Sequence, residues 1–408
     1  MNNTPKILLS VVTICFVFLN ISCLQGKTGL VGNDEQESLS IQVGAERLNE
    51  YMPLIQGKTI AVVANQTSYV ADRHLVDTLL ALGVSIKCVF APEHGFRGEA
   101  GAGDKIKNAK DPQTGLAIVS LYGKHIKPTV EDLKGIDIII FDIQDVGTRF
   151  YTYISTLQYV MEACIENSVG LIILDRPNPN GFYVDGPVLE DSYRSFVGMQ
   201  KIPVVHGMTV GEYSGMLLGE SWVNNSDKLS IHVITVANYT HKDLYQLPIR
   251  PSPNLPNMQS VYLYPSLCFF EGAAVSIGRG TPFPFQCYGF PAMEGANLNF
   301  KPINILGVAT NPPYKDTICN GVDLRTKEID FQNLQTKLRL EFLLKAYASY
   351  PNKESFFNPF FERLAGTDQL RLQIINSETE AEIRKSWEPE LSNFKKTRKK
   401  YLLYKDFD

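Results

Sequence analysis

The acidic residue best placed for chemistry lies where an apolar run meets a glycine-rich segment. Glu93 and His94 follow the apolar residues 86–91 and lead into residues 95–103, which contain four glycines. Glycine permits backbone conformations closed to other residues and lets a ligand approach the main chain. Glu93 is therefore well placed to act as a general acid. The alternative is that Glu93 and His94 only fix the loop through hydrogen bonds.

A second acidic pair, Asp142 and Asp145, follows the apolar run 136–141. A glycosidase that uses two carboxylates needs them roughly 5 to 10 Å apart. Acids at the ends of neighbouring strands can meet that requirement, so Asp142 or Asp145 is a candidate partner for Glu93. Capping of the following helix is an equally good use of an aspartate at this position.

Arginines occur in the same segments. Arg97, Arg149 and Arg176 each lie close to a predicted strand end. An arginine can hold a carboxylate through two parallel hydrogen bonds, so these residues are candidates for binding an acidic substrate. Ion pairs with the neighbouring aspartates explain them equally well.

Two further polar residues have both functional and structural explanations. Asn178 is a candidate sugar-binding amide, but the prolines around it also favour a turn. His206 precedes a predicted helix in which Thr209 and Glu212 have the spacing of a capping box. Glu212 is therefore predicted to be structural.

These residues must be positioned by strands that are buried on both faces. Near-continuous apolar runs occupy residues 59–64, 86–91, 117–121, 136–141 and 171–174, and helical patterns follow the first and fourth of them. Such runs are typical of a parallel sheet covered by helices. The sequence predicts a doubly wound, Rossmann-like α/β fold at 45–260, whose ligands bind beyond the carboxyl ends of the strands. A change in amino-acid composition after about residue 260 predicts a smaller α+β domain at 261–408.

The N-terminus has the pattern of an export signal. An apolar run within residues 1–23 is short for a membrane span and ends at Ser22 and Cys23. It resembles a bacterial lipobox, although Asn20 departs from that pattern, and ordinary secretion is the alternative. We expect an exported periplasmic or cell-envelope protein with a lipid anchor at Cys23 and a polar tether at 24–44.

The composition and the motifs that the sequence lacks weaken the case for several classes of function. The 408 residues are 44% hydrophobic and 20% charged, and the net charge of -4 gives no general attraction to nucleic acid. The sequence contains no HExxH motif, P-loop, GxSxG elbow or GxGxxG fingerprint. We therefore expect neither a metal nor another cofactor.

Long segments of the chain resemble one known family, the exo-β-N-acetylmuramidases called NamZ. The matching segments are residues 90–98, 142–153, 175–179, 185–187, 203–209, 251–256, 264–266, 271–272 and 276–281, with a tail at 394–404. The resemblance implies an active site in a cleft between the two domains. It also implies release of terminal N-acetylmuramic acid from the non-reducing ends of peptidoglycan fragments.

Within that resemblance Glu93 is the best candidate for the general acid/base, with Asp142 and Asp145 as possible catalytic partners. The predicted substrate-binding residues are His94, Arg97, Gln144, Arg149, Tyr151, Arg176, Asn178, His206, Asn254, Glu271 and Arg279. The arginines would then bind the lactyl carboxylate of the substrate. Two alternatives are a muropeptide-binding lipoprotein without activity and a metal-dependent hydrolase that uses Glu93, His94 and Asp142.

Overall fold

The computed structural model describes residues 40–98, 109–326, 334 and 336–408. The predicted signal peptide, Cys23 and residues 24–39 of the predicted tether lie outside the described residues. Within the described part of the chain, no helix is long and apolar enough to cross a membrane. The last residues of the predicted tether belong to the folded body, since Val43 is buried and Gln42 bridges to Ala237.

A seven-stranded sheet forms the centre of the fold. Its strands, in chain order, are β1 (Thr59–Ala64), β4 (Ser85–Ala91), β5 (Ala109–Lys110), β6 (Ala117–Ser120), β7 (Ile138–Asp142), β8 (Gly170–Leu174) and β11 (Ile231–Ile234). The spatial order is β11-β8-β7-β1-β4-β6-β5, and every pairing is parallel except that of β5 with β6. Counting the parallel strands in chain order, this is the 3-2-1-4-5-6 arrangement of a Rossmann sheet. The predicted fold class is confirmed.

Alternation along β1 explains why the sheet is covered on both sides. Ala61 and Val63 belong to one buried cluster, while Ile60, Val62 and Ala64 belong to the other. Because successive side chains of a strand point to opposite faces, an apolar run of this kind requires helices on both sides. Polar groups are consequently confined to the edges of the sheet.

Ten α-helices are present in the described residues. They are α1 (Leu48–Ile55), α2 (Leu75–Ala81), α3 (Val130–Leu133), α4 (Tyr153–Asn167), α5 (Val210–Gly219), α6 (Met258–Leu267), α7 (Leu340–Ser349), α8 (Phe360–Ala365), α9 (Gln369–Ile375) and α10 (Glu380–Arg398). The Thr209 hydroxyl accepts from the Glu212 amide, and the Glu212 carboxylate accepts from the Thr209 amide. This is the predicted capping box at the start of α5.

Smaller sheets complete the body. Two short hairpin strands, β2 (Tyr69–Val70) and β3 (Arg73–His74), follow β1, and β9 (Asp185–Val188) pairs with β10 (Pro203–Val205). A three-stranded antiparallel sheet has the order β12 (Cys287–Phe290), β14 (Cys319–Asp323), β13 (Leu298–Phe300). Residues 261–408 thus have mixed α+β content. The domain division at residue 260 stays a prediction.

Arg149 joins the two halves of the chain. Its side chain is fully buried and donates to the carbonyls of Pro187 and Ile202 at 2.8 and 2.7 Å. It also donates to the carbonyls of Leu364 and Ala365, at the end of α8, at 2.9 and 2.7 Å. A buried guanidinium needs such acceptors, because burial without hydrogen bonds is costly.

Candidate active site

A cavity of about 290 Å³ opens beyond the carboxyl ends of the central strands. Its buried lining residues are His94, Phe150, Tyr151, Tyr153, Ser252, Asn254, Leu255, Tyr264 and Phe285. Its half-buried lining residues, which we call the rim, are Glu93, Tyr122, Thr152, Phe196, Val197, Glu271, Arg279 and Phe360. The cavity therefore combines a largely aromatic interior with a rim that carries charged side chains.

Glu93 lies in a tight turn at the end of β4. The turn is closed by the Gly95 amide, which donates to the Pro92 carbonyl at 3.0 Å. The Thr152 hydroxyl donates to Glu93 Oε2 at 2.9 Å, and the Tyr153 hydroxyl donates to the Glu93 carbonyl at 3.4 Å. Both donors belong to the start of α4, so this helix fixes the side chain and the backbone of the glutamate together.

His94 holds the same turn in an unusual backbone conformation. Its φ is 72°, a value that glycine adopts readily and that costs other residues about 1 to 2 kcal/mol. The ring is buried, and its Nε2 lies 3.2 Å from the Ser252 hydroxyl oxygen. That oxygen also accepts a hydrogen bond from the backbone amide of Asn254 at 3.2 Å. His94 thus ties the Glu93 turn to the loop that contains Ser252 and Asn254.

A second charged feature of the rim is the ion pair between Glu271 and Arg279. The two side chains keep about a quarter of their surface exposed, 25% and 23% respectively. The guanidinium also lies 5.5 Å from the centre of the Phe285 ring, within the range of a cation–π contact. Arg279 is therefore a cation that a ligand in the cavity can reach.

The aromatic interior is closely packed. The Tyr151 hydroxyl donates to the Pro251 carbonyl at 2.8 Å. Its ring meets those of Tyr153 and Tyr264 edge to face, with centroids 4.9 and 5.7 Å apart. Burial raises the pKa of Tyr151 and of Tyr153 well above the ordinary value, so both hydroxyls stay neutral.

Six of the predicted site residues line this cavity, namely Glu93, His94, Tyr151, Asn254, Glu271 and Arg279. The Asn254 side chain donates to the Val308 carbonyl at 2.9 Å, which fixes its orientation at the wall. The structure thus brings residues from both halves of the chain to one place. Their individual roles stay predictions.

Asp142 and Arg176 do not line the cavity but form an ion pair with each other, and their predicted roles in the site stay predictions. Arg176 Nε lies 2.6 Å from Asp142 Oδ1 and Arg176 Nη2 lies 3.0 Å from Oδ2, with both side chains buried. The same guanidinium donates to the Tyr69 carbonyl at 2.9 Å. The ion pair, which the sequence left open as an alternative, is what the structure contains.

Asp145 and His206 also lie outside the cavity lining. The Gly147 amide donates to Asp145 Oδ2 at 2.6 Å within the loop, whereas the N-cap of the following helix is Thr152, so Asp145 does not cap that helix as the alternative to catalysis expected. His206 Nε2 lies 3.9 Å from the same oxygen. Burial raises the pKa of Asp145 to about 7 and lowers that of His206 to about 3. The catalytic role of Asp145 and the substrate contact of His206 stay predictions.

The remaining residues that were predicted to bind substrate form hydrogen bonds or ion pairs within the protein. Arg97 pairs with Asp77 and Asp111 at 3.1 and 2.8 Å. Gln144 donates to the carbonyls of Asp145 and Pro177, and Asn178 donates to that of Met208. Arg149 is occupied by the four carbonyls described above. None of these four residues lines the cavity, and their contact with substrate stays a prediction.

Several lining residues were not predicted. Thr152 and Ser252 lie inside segments that carried the family resemblance, so their neighbourhood was a usable signal. Tyr122, Phe196, Val197 and Phe360 reach the rim from parts of the chain without such a signal. In the described residues, no group of three or more His, Cys, Asp or Glu side chains is arranged to hold a metal ion.

A carboxylate held over an aromatic-lined cavity at the carboxyl edge of a Rossmann sheet is suited to the work of a glycoside hydrolase. The chain belongs to the exo-beta-N-acetylmuramidase NamZ family. The N-terminal model of that family matches residues 60–259, and its C-terminal model matches residues 262–404. The protein is thus a glycoside hydrolase of this family.

Known relatives agree with this assignment. The chain is 37% identical over 392 residues to the peptidoglycan beta-N-acetylmuramidase NamZ of Bacillus subtilis (strain 168), covering 91% of this chain and 93% of that protein. A crystal structure of a DUF1343 family protein from Bacteroides fragilis NCTC 9343 is 46% identical, with a TM-score of 0.83, over 90% of this chain and all 100% of that one. A second such structure from the same organism is 30% identical, with a TM-score of 0.78, over 90% and 99%.

The ion pair between Asp142 and Arg176 predicts that Asp142 supports the fold. Asp142→Asn should lower the free energy of unfolding by about 3 to 5 kcal/mol, because it leaves the Arg176 guanidinium buried without its counter-charge. Urea unfolding followed by circular dichroism measures this loss. Asp323→Asn, which breaks an ion pair with Arg325 that is partly exposed, is the matched control and should cost less than about 1 kcal/mol. A stable but inactive Asp142→Asn protein would instead favour a catalytic role.

Proposed function

We propose that this protein releases terminal β-linked N-acetylmuramic acid from the non-reducing ends of peptidoglycan fragments, with Glu93 as the general acid/base. The observation that carries the proposal is the Glu93 carboxylate, fixed by Thr152 at the rim of the cavity. Membership of the family and the name of the Bacillus relative support the choice of sugar.

The size of the cavity supports an exo mode of cleavage. At about 290 Å³ it lies just below the range for small-molecule sites, roughly 300 to 1,000 Å³. Such a volume suits one N-acetylated hexosamine in the interior of the cavity. The terminal sugar would occupy the aromatic interior, and the rest of the fragment would leave across the rim.

Glu93 would supply the proton for bond cleavage. As the bond between the anomeric carbon and the glycosidic oxygen breaks, the carboxyl group protonates that oxygen and the remaining fragment departs. A water molecule then adds to the anomeric carbon, and the carboxylate takes up the proton that this water loses. The hydrogen bond from Thr152 to Oε2 orients the carboxyl group for both transfers.

Arg279 is the arginine best placed to recognise the lactyl carboxylate of muramic acid. Of the four arginines predicted for the site, the other three are directed into carbonyls or aspartates and do not line the cavity. Arg279 lines it and remains partly exposed beside Glu271. An arginine can bind a carboxylate through two parallel hydrogen bonds, which would distinguish muramic acid from glucosamine.

We also propose that the protein works in the cell envelope, held there by a lipid on Cys23. The small residues at the end of the apolar N-terminal run support this location, and peptidoglycan lies in the same compartment.

The role of Glu93 predicts that Glu93→Gln lowers turnover of a chromogenic β-N-acetylmuramide by at least about 100-fold, because the amide cannot deliver a proton. Release of the chromophore and of free N-acetylmuramic acid measures the loss, and circular dichroism checks folding. Glu131→Gln, at an exposed glutamate, is the matched control. Full activity of a folded Glu93→Gln protein would contradict the assignment. Saturable sugar binding without turnover by the native protein would favour the non-catalytic binding lipoprotein.

The role of Arg279 predicts a loss of selectivity between two sugars. Arg279→Gln should weaken binding of N-acetylmuramic acid by about 10- to 100-fold, the worth of hydrogen bonds to a charged group. Calorimetric titration with N-acetylmuramic acid and with N-acetylglucosamine measures the difference. Arg325→Gln removes another partly exposed, ion-paired arginine that lies outside the cavity lining and should not alter the ratio. An equal effect on both sugars would contradict carboxylate recognition.

The lipid anchor predicts that Cys23→Ala moves the protein from the membrane fraction to the soluble fraction of a bacterial host. Metabolic labelling with an alkyne fatty acid, followed by fractionation, measures the change. Cys15→Ala, in the same apolar run, is the control and should keep the label. An unlabelled native protein would favour ordinary secretion.

A further inference from the structure

We propose that Phe196, together with Tyr122, forms the binding face for the sugar on the leaving-group side of the scissile bond. The ligand would be the N-acetylated hexosamine that follows the terminal muramic acid in the chain. This inference rests on the proposed function and assigns a place to the second sugar ring.

Phe196 is presented by a tight hairpin. Ser195 and Gly198 exchange two backbone hydrogen bonds of 2.9 and 3.0 Å, which leaves Phe196 and Val197 at the tip. Both tip side chains line the cavity and are half-buried. A tight turn that presents two apolar side chains at a polar rim leaves apolar surface in water. That surface becomes favourable when a ligand covers it.

Two neighbouring tyrosines pack against the ring of Phe196. Tyr159, on α4, stacks on it with centroids 6.3 Å apart and an interplanar angle of 17°. Tyr122, just beyond the end of β6, lies 6.3 Å away at an angle of 57°. Tyr122 also lines the cavity, whereas Tyr159 does not. The two lining rings thus form an angled aromatic surface, and one face of a pyranose ring is apolar enough to pack on such a surface.

The first turn of α4 places this surface beside Glu93. Thr152 donates to the Glu93 carboxylate, and Ser155 Oγ donates to the Phe196 carbonyl at 2.8 Å. Residues three apart lie on the same face of a helix, so Glu93 and the Phe196 hairpin are held side by side. A general acid protonates the oxygen of the leaving group. The sugar attached to that oxygen must therefore lie next to Glu93, which is where the Phe196 hairpin is held.

Two substrates separate this subsite from the site of the terminal sugar. Methyl β-N-acetylmuramide has no second ring, whereas the β-1,4-linked disaccharide of N-acetylmuramic acid and N-acetylglucosamine has one. Phe196→Ala should lower the ratio of kcat/KM for the disaccharide to kcat/KM for the methyl glycoside by about five- to tenfold, the worth of one aromatic contact. Phe196→Trp, which keeps an aromatic face, should retain most of the native ratio.

Phe182→Ala is the matched control, because Phe182 is also half-buried but packs on Tyr183 and Tyr262 and does not line the cavity. Its ratio should stay within about twofold of native. An equal loss on both substrates after Phe196→Ala, or no loss on either, would overturn the inference and leave the proposed function intact. If the native protein hydrolyses neither substrate, the proposed function fails, and the inference fails with it.

Discussion

Burial of both faces of the parallel sheet is the constraint on which the rest of the structure depends. Apolar side chains from β1 enter two separate cores, so neither face can hold a polar ligand. Chemistry is confined to the loops beyond the carboxyl ends of the strands, where side chains can be polar without being stranded in a core. Glu93 leaves the sheet at that edge, directly after β4.

Two of the acidic residues at this edge, Asp175 and Glu212, are held in hydrogen bonds within the protein. Asp175 accepts from the Thr209 hydroxyl, the Gly211 amide and the Tyr404 hydroxyl, and burial raises its pKa to about 6. Glu212 accepts from His241 at 3.0 Å and from the Leu403 amide at 2.9 Å. Asp175 and Glu212 thus bind the C-terminal segment to the sheet. Glu93 lies at the same edge of the sheet but lines a cavity instead. Removing one partner of a buried pair is costly, so we expect Asp175 and Glu212 to be important for stability.

The elements were easier to predict than the partners of the polar residues. Long apolar runs and the capping-box spacing of Thr209 and Glu212 are local signals, and both led to the observed strands and helix. Whether Asp142 lies next to Glu93 or pairs with Arg176 depends on the conformations of loops that follow different strands. An aspartate at a strand end is compatible with both arrangements, so the sequence alone does not decide between them. The rim residue Phe196 had no local signal at all, since its place depends on a contact between its hairpin and α4 across 41 positions of sequence.

One helix links the strained turn to the rest of the molecule. His94 keeps a backbone conformation that costs energy, so the turn needs contacts with the rest of the protein that stabilise this conformation. α4 provides them, because most of its side chains are buried and its first residues hold Glu93 at two points. The same turn of the helix holds the Phe196 hairpin. In the proposed function, the proton donor and the surface for the leaving sugar share one support, the first turn of α4. Their relative position is then set by the hydrophobic core and not by the loops that carry them.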